Sequence, residues 1–398
     1  MQKLHTAVIG AGASGLVAAI SVKRAGNSVI ICERMPSIGK KLLACGGGRC
    51  NFLNEKLDGS YYNPSARELV KSIFSRFGKK EILRFFSELG LHYYSEDNRI
   101  FPVTNQASSV LRVIEIELKK LDVAIEVGFE VVDISSNREG FLITSAANKK
   151  VICDNIILAG GGRAYPALGS NGGCYRFCRN FGHQIIDPVP SAVPIEISDK
   201  SCHLLQGQKI FVRAKSLIDG RISSQTHGEL LFTKYGLSGT AILDISQDLS
   251  IALNRQPVYK AEVLVDFVPF LEDAVLKNEL ARRVHDGVEP ENLLCGIMPN
   301  KFGLAFLPLL KTKDPGGITG GLKQKKFKVL RTRGWNEAEF TCGGVSITQV
   351  NEKTLESRLK KGLYFCGEIL DVEGKRGGYN LAWAFSSGFI AGLTEKTS

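Results

Sequence analysis

The chain has 398 residues, of which 44% are hydrophobic and 23% charged, the make-up of a globular protein too long for one ordinary core. No window reaches the run of about 18 apolar residues that a membrane span needs. The formal net charge of +11 admits anionic substrates, nucleic acid or simply a basic proteome, and decides none of them. Ten cysteines without a repeating frame point to reduced thiols in a cytoplasmic protein rather than a disulfide scaffold. Reading Lys3 and the apolar run after it as a signal peptide is rejected, because cleavage would destroy the unit described next.

That unit is Thr6 to Glu33, a complete nucleotide-binding strand–helix–strand pattern. Ala7 to Ile9 suits a buried parallel strand, and G-A-G-A-S-G from Gly10 to Gly15 opens a helix directly after it. Gly10 permits the tight turn, Gly12 lets the backbone approach a pyrophosphate at the helix N-terminus, and Gly15 lets helix and strand pack closely. A second strand, Ser28 to Cys32, ends in Glu33, whose carboxylate can accept hydrogen bonds from an adenosine ribose.

The loop from Arg34 to Asn54 carries the cations Arg34, Lys40, Lys41 and Arg49 before Phe52, and can wrap a phosphate-bearing ligand. Within it Gly46, Gly47 and Gly48 allow close backbone approach, while Arg49 and Asn51 supply directed donors. Amphipathic helices are predicted around Leu69 to Phe77, Ile82 to Leu89 and Val110 to Leu118. A β-rich stretch follows from Ala124 to Leu158, closed by a second glycine run, Gly160 to Gly162. Cys174 and Cys178 lie one turn apart on a short helix ending at Gly182, but no nearby His or Cys completes a ligand set, so buried thiols and no metal are expected.

At Pro188, Pro190 and Pro194 the texture changes. Short strand patterns alternate with helical ones to about Ala338, without a phosphate-type glycine turn, and read as an inserted domain. Its run from Lys323 to Arg333 holds six basic residues and no acid, which reads as the solvated face of a strand, with an RNA-binding stripe as the alternative. The chain then returns to the first domain. Gly362 to Leu393 contains a buried strand, a Gly367-Glu368 turn and an apolar helix, with Gly377 and Gly378 at its head leaving N–H groups free to face an anionic ligand atom.

GAGASG, CGGGRCNFLN, LFTKYGLSG, CGGVSI and LESRLKKGLYFCGEILDVEGKRGGYNLAWAFSSG, in this order, resemble the YhiN/BaiN-like family of NAD(P)/FAD-dependent oxidoreductases, which includes aminoacetone-oxidase-type flavoproteins. The resemblance covers nearly the whole chain. It implies an α/β fold with a Rossmann-like, glutathione-reductase-like FAD-binding domain at 1–190 and 339–398, interrupted by a mixed β/α substrate-side domain at 191–338. It implies FAD with Gly10, Gly12, Ala13, Ser14 and Gly15 at the pyrophosphate, Glu33 at the ribose and Val131 at the adenine. Arg34, Lys41, Gly47, Gly48, Arg49, Cys50 and Asn51 would lie along the cofactor, and Ala159, Gly160 and Gly161 would back it. Gly367, Glu368, Asp371, Gly378, Tyr379, Asn380 and Leu381 would surround the ribityl chain and flavin. Two positions depart from the family pattern: Gly173 stands at a usual acid, and Thr240 at a common proline.

The expected function is hydride exchange between flavin N5 and a small organic substrate, an amine or an enone, near the inserted domain, with NAD(P)H a transient donor. No catalytic side chain is assigned, no membrane partner is expected, and neither oligomeric state nor a nucleic-acid partner follows from the charge. One alternative is a disulfide reductase using Cys45 and Cys50, with Arg49 lowering a thiol pKa. Against it stand the three glycines between the thiols and the absence of any histidine after His285. The other alternative is a basic RNA-binding or RNA-modifying flavoprotein.

Overall fold

The computed structural model describes residues 3–138, 140–199, 201–256 and 260–393. The chain folds as two compact units: residues up to Pro188 together with those from Phe340 onward, and Val189–Glu339.

The first unit is built on a seven-stranded sheet. Its parallel part runs Ala124–Val127, Val29–Glu33, Leu4–Ile9 and Lys150–Leu158, with Leu363–Phe365 also pairing parallel to the last of these. Gly140–Ser145 and Val131–Asn137 extend it as an antiparallel meander. The central strands read as continuous apolar runs because both faces are covered, which the burial of Ala7, Val8, Ile31, Ile156 and Ile157 reflects. Register then does something the sequence cannot show. Ile9 pairs with Cys32 and with Leu158, and Leu158 pairs with Phe365, so the carboxyl ends of four strands are level. The residues that follow, Gly10, Glu33, Ala159 and Cys366, therefore emerge at one edge, where ligands of open α/β sheets bind.

Two helices leave that edge, Ala13–Arg24 and Tyr379–Gly392, and both are almost wholly buried. They lie against each other through small residues. A Cβ on Gly388 would stand 2.3 Å from Ser14 O, and one on Gly392 would stand 2.5 Å from Ala18 O. Ser21 Oγ donates to Phe389 O at 2.8 Å across the same seam. Such close approach leaves no room for a side chain, which is why an apolar helix of this kind carries Ser and Gly on one face.

The second unit holds a closed six-stranded barrel in the order Ile195–Ile197, Gly236–Ser238, Arg221–Thr233, Lys209–Ile218, Ala261–Asp266 and Lys325–Thr332. Val212, Ala214, Leu230, Phe232, Val263, Val265, Phe327 and Val329 alternate inward and are buried, as the two-residue strand period requires. The helix Thr240–Arg255 buries Ala241, Ile242, Ile245 and Leu249 in the same core. Thr240 is its first residue, a position where proline is tolerated, and here its hydroxyl accepts from Glu229 N at 2.9 Å. The basic run is the last barrel strand. Lys325 pairs with Asp199, Arg331 and Arg333 with Glu196, and Lys323 reaches Asp266, so among the described residues only Lys326 and Lys328 of this run stand without an ion pair. No helix among the described residues is long and apolar enough to cross a membrane.

Candidate functional site

The first helix head forms around Gly10, whose φ of 107° requires glycine. A Cβ there would lie 2.7 Å from Ala159 O, and one on Gly15 would lie 2.0 Å from Gly10 O. Gly12 is different. No atom lies within 4 Å of where its Cβ would stand, so the backbone is open on that side. Gly12 caps the helix without a side-chain bond, and the first intrahelical bond is Leu16 N to Gly12 O. The N–H groups of Ala13, Ser14 and Gly15 have no partner among the described residues, and the helix dipole adds to their positive potential. Free donors beside open space fit a pyrophosphate, so the residues present fit a dinucleotide.

Glu33 is buried and holds the turn itself: its carboxylate accepts from Ala11 N at 2.6 Å and from Met35 N at 2.7 Å. Its backbone carbonyl accepts from Phe129 N, which brings the stretch before Val131 beside it. Val131 O accepts from Arg176 at 2.9 Å. Arg34 follows Glu33 at half burial, and no hydrogen bond of its side chain is found among the described residues.

The loop after Glu33 brings Lys41 to Glu368, with Nζ and Oε2 at 2.6 Å, while the other oxygen of Glu368 accepts from Thr341 N at 2.7 Å. Gly46, Gly47 and Gly48 all have positive φ, and no atom lies within 4 Å of a Cβ on Gly47 or Gly48. Arg49 turns away from the thiols. Its guanidinium bonds Tyr94 Oη (2.8 Å), Glu96 (3.0 Å) and Asn105 (3.1 Å) and lies over Phe101. Cys50 is buried, and its hydrogen bond with Cys45, together with burial, raises its pKa well above the usual thiol value. This weighs against the alternative in which Arg49 lowers a thiol pKa, because this thiol is held protonated.

The second head is Gly378, with φ of 96°, opening Tyr379–Gly392. Asn51 bridges to it, donating to Leu53 O at 2.9 Å and accepting from Gly378 N at 3.2 Å. The expectation of a free Gly378 N–H is corrected by this bond. The N–H groups of Tyr379, Asn380 and Leu381 are the ones left without a partner among the described residues. Asn380 folds its amide back on Gly374, accepting from its N and donating to its O, and Tyr62 Oη donates to Tyr379 O at 2.7 Å. Burial and the neighbouring Tyr61 push the Tyr379 phenol well above its ordinary pKa.

The two heads meet at Gly367, where a Cβ would stand 2.4 Å from Ser14 Oγ. Gly367 N donates to Ser387 Oγ, and Trp383 Nε1 donates to Gly367 O at 3.1 Å. Ala159 and Gly160 lie against Gly10 on the other side, Gly161 lies beside Ser170 and Glu368, and Asp371 N donates to Val345 O. Gly173 N is held by Asn171 Oδ1 at 3.0 Å, so a local turn occupies the position of the family's acid. Tyr61, Tyr62 and Arg99 lie outside the residues the sequence singles out, since tyrosines and an exposed arginine carry no spacing signal.

Residues 4–394 match the family described as HI0933-like protein Rossmann domain. The chain is 35% identical over 402 residues to a 3-dehydro-bile acid Δ4,6-reductase of Clostridium scindens, covering 97% of each chain. It is 29% identical over 403 residues to a ribosomal RNA dihydrouridine synthase of Haemophilus influenzae, covering 99% of this chain and 98% of that one. Among solved structures, the 3-ketosteroid Δ1-dehydrogenase of Sterolibacterium denitrificans is similar in fold, with a TM-score of 0.54 at 11% identity, over 98% of this chain and 99% of that one.

Proposed function

This chain belongs to the HI0933-like Rossmann family, and from that premise we propose that it is an FAD-dependent oxidoreductase that reduces a carbon–carbon double bond conjugated to a carbonyl. The observation that carries the reading is the pairing of two glycine-headed helices at one edge of one sheet, each with three N–H groups left without a partner among the described residues. An NAD site needs one such head. An extended FAD needs two, one for the pyrophosphate and one for the flavin ring.

On this reading Ala13, Ser14 and Gly15 donate to the pyrophosphate, Glu33 accepts from the adenosine ribose, and Lys41 and Glu368 stand between the two ends. Tyr379, Asn380 and Leu381 direct their N–H groups at the ring edge that gains negative charge on reduction. The bound cofactor supplies a two-electron carrier able to take hydride from a nicotinamide and give it to carbon. Cys50 and Tyr379, both held protonated, stay neutral beside it.

The choice of an alkene over an amine rests on the relatives. The Δ4 and Δ6 double bonds of a 3-dehydro bile acid are conjugated to the ring ketone, and the bond saturated in making dihydrouridine is conjugated to a ring carbonyl. In each the carbonyl makes a conjugated carbon electrophilic, at the β position or, through the diene, the δ position, so one hydride-delivering site serves either. NAD(P)H is proposed as a transient donor, because no second glycine fingerprint provides a resident nicotinamide site.

The test is the absorption spectrum of the purified protein, followed by anaerobic addition of NADH and NADPH and then of a 3-oxo-Δ4 steroid acid or a uridine-containing RNA. A flavin spectrum, bleaching by one nucleotide and reoxidation by one acceptor are expected. Protein that neither contains nor takes up flavin overturns the reading.

A further inference from the structure

The head of the C-terminal helix is rimmed by cations that make no ion pair among the described residues. Arg99 opens the strand Arg99–Pro102 and pairs in register with Asn54, whose Nδ2 donates to Gly377 O at 2.8 Å. That contact brings Arg99 to the turn before the helix, where a Cβ on Gly377 would stand 3.9 Å from Arg99 Nε and 3.6 Å from Tyr379 Cε2. On the same turn Lys375 N donates to Tyr61 O at 2.9 Å, and Lys375 Nζ lies 5.8 Å from the centre of the Tyr61 ring. Tyr61 and Tyr379 are stacked, with centroids 4.5 Å apart and planes 14° from parallel. Lys375 is thus carried by the turn and Arg99 by the strand beside it, and the two cations flank a stacked aromatic pair.

The nearby acids are engaged elsewhere. Glu96 pairs with Arg49, Glu55 with Lys79, and Asp58 accepts from Ser60 N. Among the described residues neither Arg99 nor Lys375 makes an ion pair. The turn is also rigid, tied by both Asn380 bonds to Gly374. Two exposed cations without an ion pair among the described residues, held beside an aromatic pair, raise the local concentration of anions and can each hydrogen-bond one.

We propose that Arg99 and Lys375, flanking the Tyr61–Tyr379 stack, bind an anionic group, a phosphate or a carboxylate, that the substrate carries away from its reacting double bond. This placement rests on the flavin-side reading of the helix head. A nucleotide phosphate and a steroid side-chain carboxylate share the needed chemistry.

The test uses FAD-loaded protein in two arms. In the first, inorganic phosphate is titrated calorimetrically into wild type, the Arg99→Gln/Lys375→Gln double variant and the Arg99→Lys variant. Saturable binding in wild type, lost in the double variant and kept by Arg99→Lys, is expected, with flavin content equal in all three. No saturable binding in wild type, or equal binding in the double variant, overturns the proposal whatever the substrate is. The second arm compares anionic with neutral partners, uridine 5′-monophosphate with uridine, and a 3-oxo-Δ4 cholenoic acid with its methyl ester, by perturbation of the flavin spectrum. In at least one pair the anion is expected to bind about tenfold tighter, a preference that falls to about twofold or less in the double variant. The pair that shows it identifies the source of the anion. Equal affinity within both pairs overturns the proposal while leaving alkene reduction standing. Phosphate binding with no acceptor reoxidising the flavin overturns alkene reduction and leaves the anion site standing.

Discussion

The two helix heads of the first unit do the same geometric job by different means. At the first, the turn is made by glycines within one short stretch, and a single carboxylate, Glu33, fastens it through Ala11 N and Met35 N. At the second, the turn is fastened by residues from distant parts of the chain: Asn51 on Gly378, Asn54 on Gly377, Tyr62 on Tyr379. Local fastening leaves a motif; distant fastening leaves isolated residues. The seam between the helices then forces both heads to the same edge.

Breaking the seam has the largest expected effect. Gly388→Val puts a branched side chain where even a Cβ stands 2.3 Å from Ser14 O, and is expected to cost at least about 3 kcal/mol, read as lost soluble yield and a lowered melting temperature. Gly12→Ala is the contrast, because nothing lies within 4 Å of its Cβ. It should keep its melting temperature without cofactor and lose FAD affinity, and a melting temperature that falls with it would erase the distinction between packing and binding glycines.

Glu33→Gln sharpens the first head. Loss of a charged acceptor is expected to weaken FAD binding by about 1.5–3 kcal/mol, measured by flavin titration of the apoprotein. Asn51→Ala does the same for the second head, and about 1–2 kcal/mol of stability is expected to go with the freed Gly378 N–H, measured by denaturant unfolding. If Asn51→Ala leaves unfolding unchanged, the second head is held by Asn54 and Tyr62 without it.

A smaller effect concerns protons. A buried thiol precedes a residue that supports each head, Cys32 before Glu33 and Cys366 before Gly367, and burial pushes both to about 12 from the usual 9.0. A raised folded pKa means that the fold keeps the proton. Stability from these groups is therefore whole below pH 9.0 and is lost as the pH climbs toward about 12. Thermal melts across that range should fall less steeply in Cys32→Ala than in wild type. Smallest of all is the expected change in flavin bleaching with Cys45→Ser or Cys50→Ser, within about twofold, since a protonated Cys50 is no nucleophile. Disulfide reduction by wild type that these variants lose would instead restore the thiol mechanism.

Much of the fold was legible because its signals are local. The glycine turn after Ile9, the acid after Cys32 and the texture change near Pro188 need only neighbours in sequence to be read. Family membership was legible for a different reason, since CGGGRCN and GEILDVEGKRGGYN keep their wording, and the match over residues 4–394 bears the resemblance out. The site was legible only in part. Arg49 in a glycine loop looked like a ligand donor, but whether it meets Glu96 and Tyr94 depends on a hairpin 45 residues on. Gly378 looked free because nothing near it in sequence could take its N–H.

The sequence by itself determined the first head, since tolerance of φ above zero at Gly10 and the absence of a side chain at Gly12 are properties of those residues wherever they are placed. Only the tertiary structure decided that a second head, more than 300 residues later, lies beside it, that Asn51 takes its first N–H, and that Arg99 and Lys375 flank two stacked tyrosines. The reason is physical: strand register and helix packing join residues by burial and hydrogen bonding, and neither is encoded in the spacing of residues along the chain.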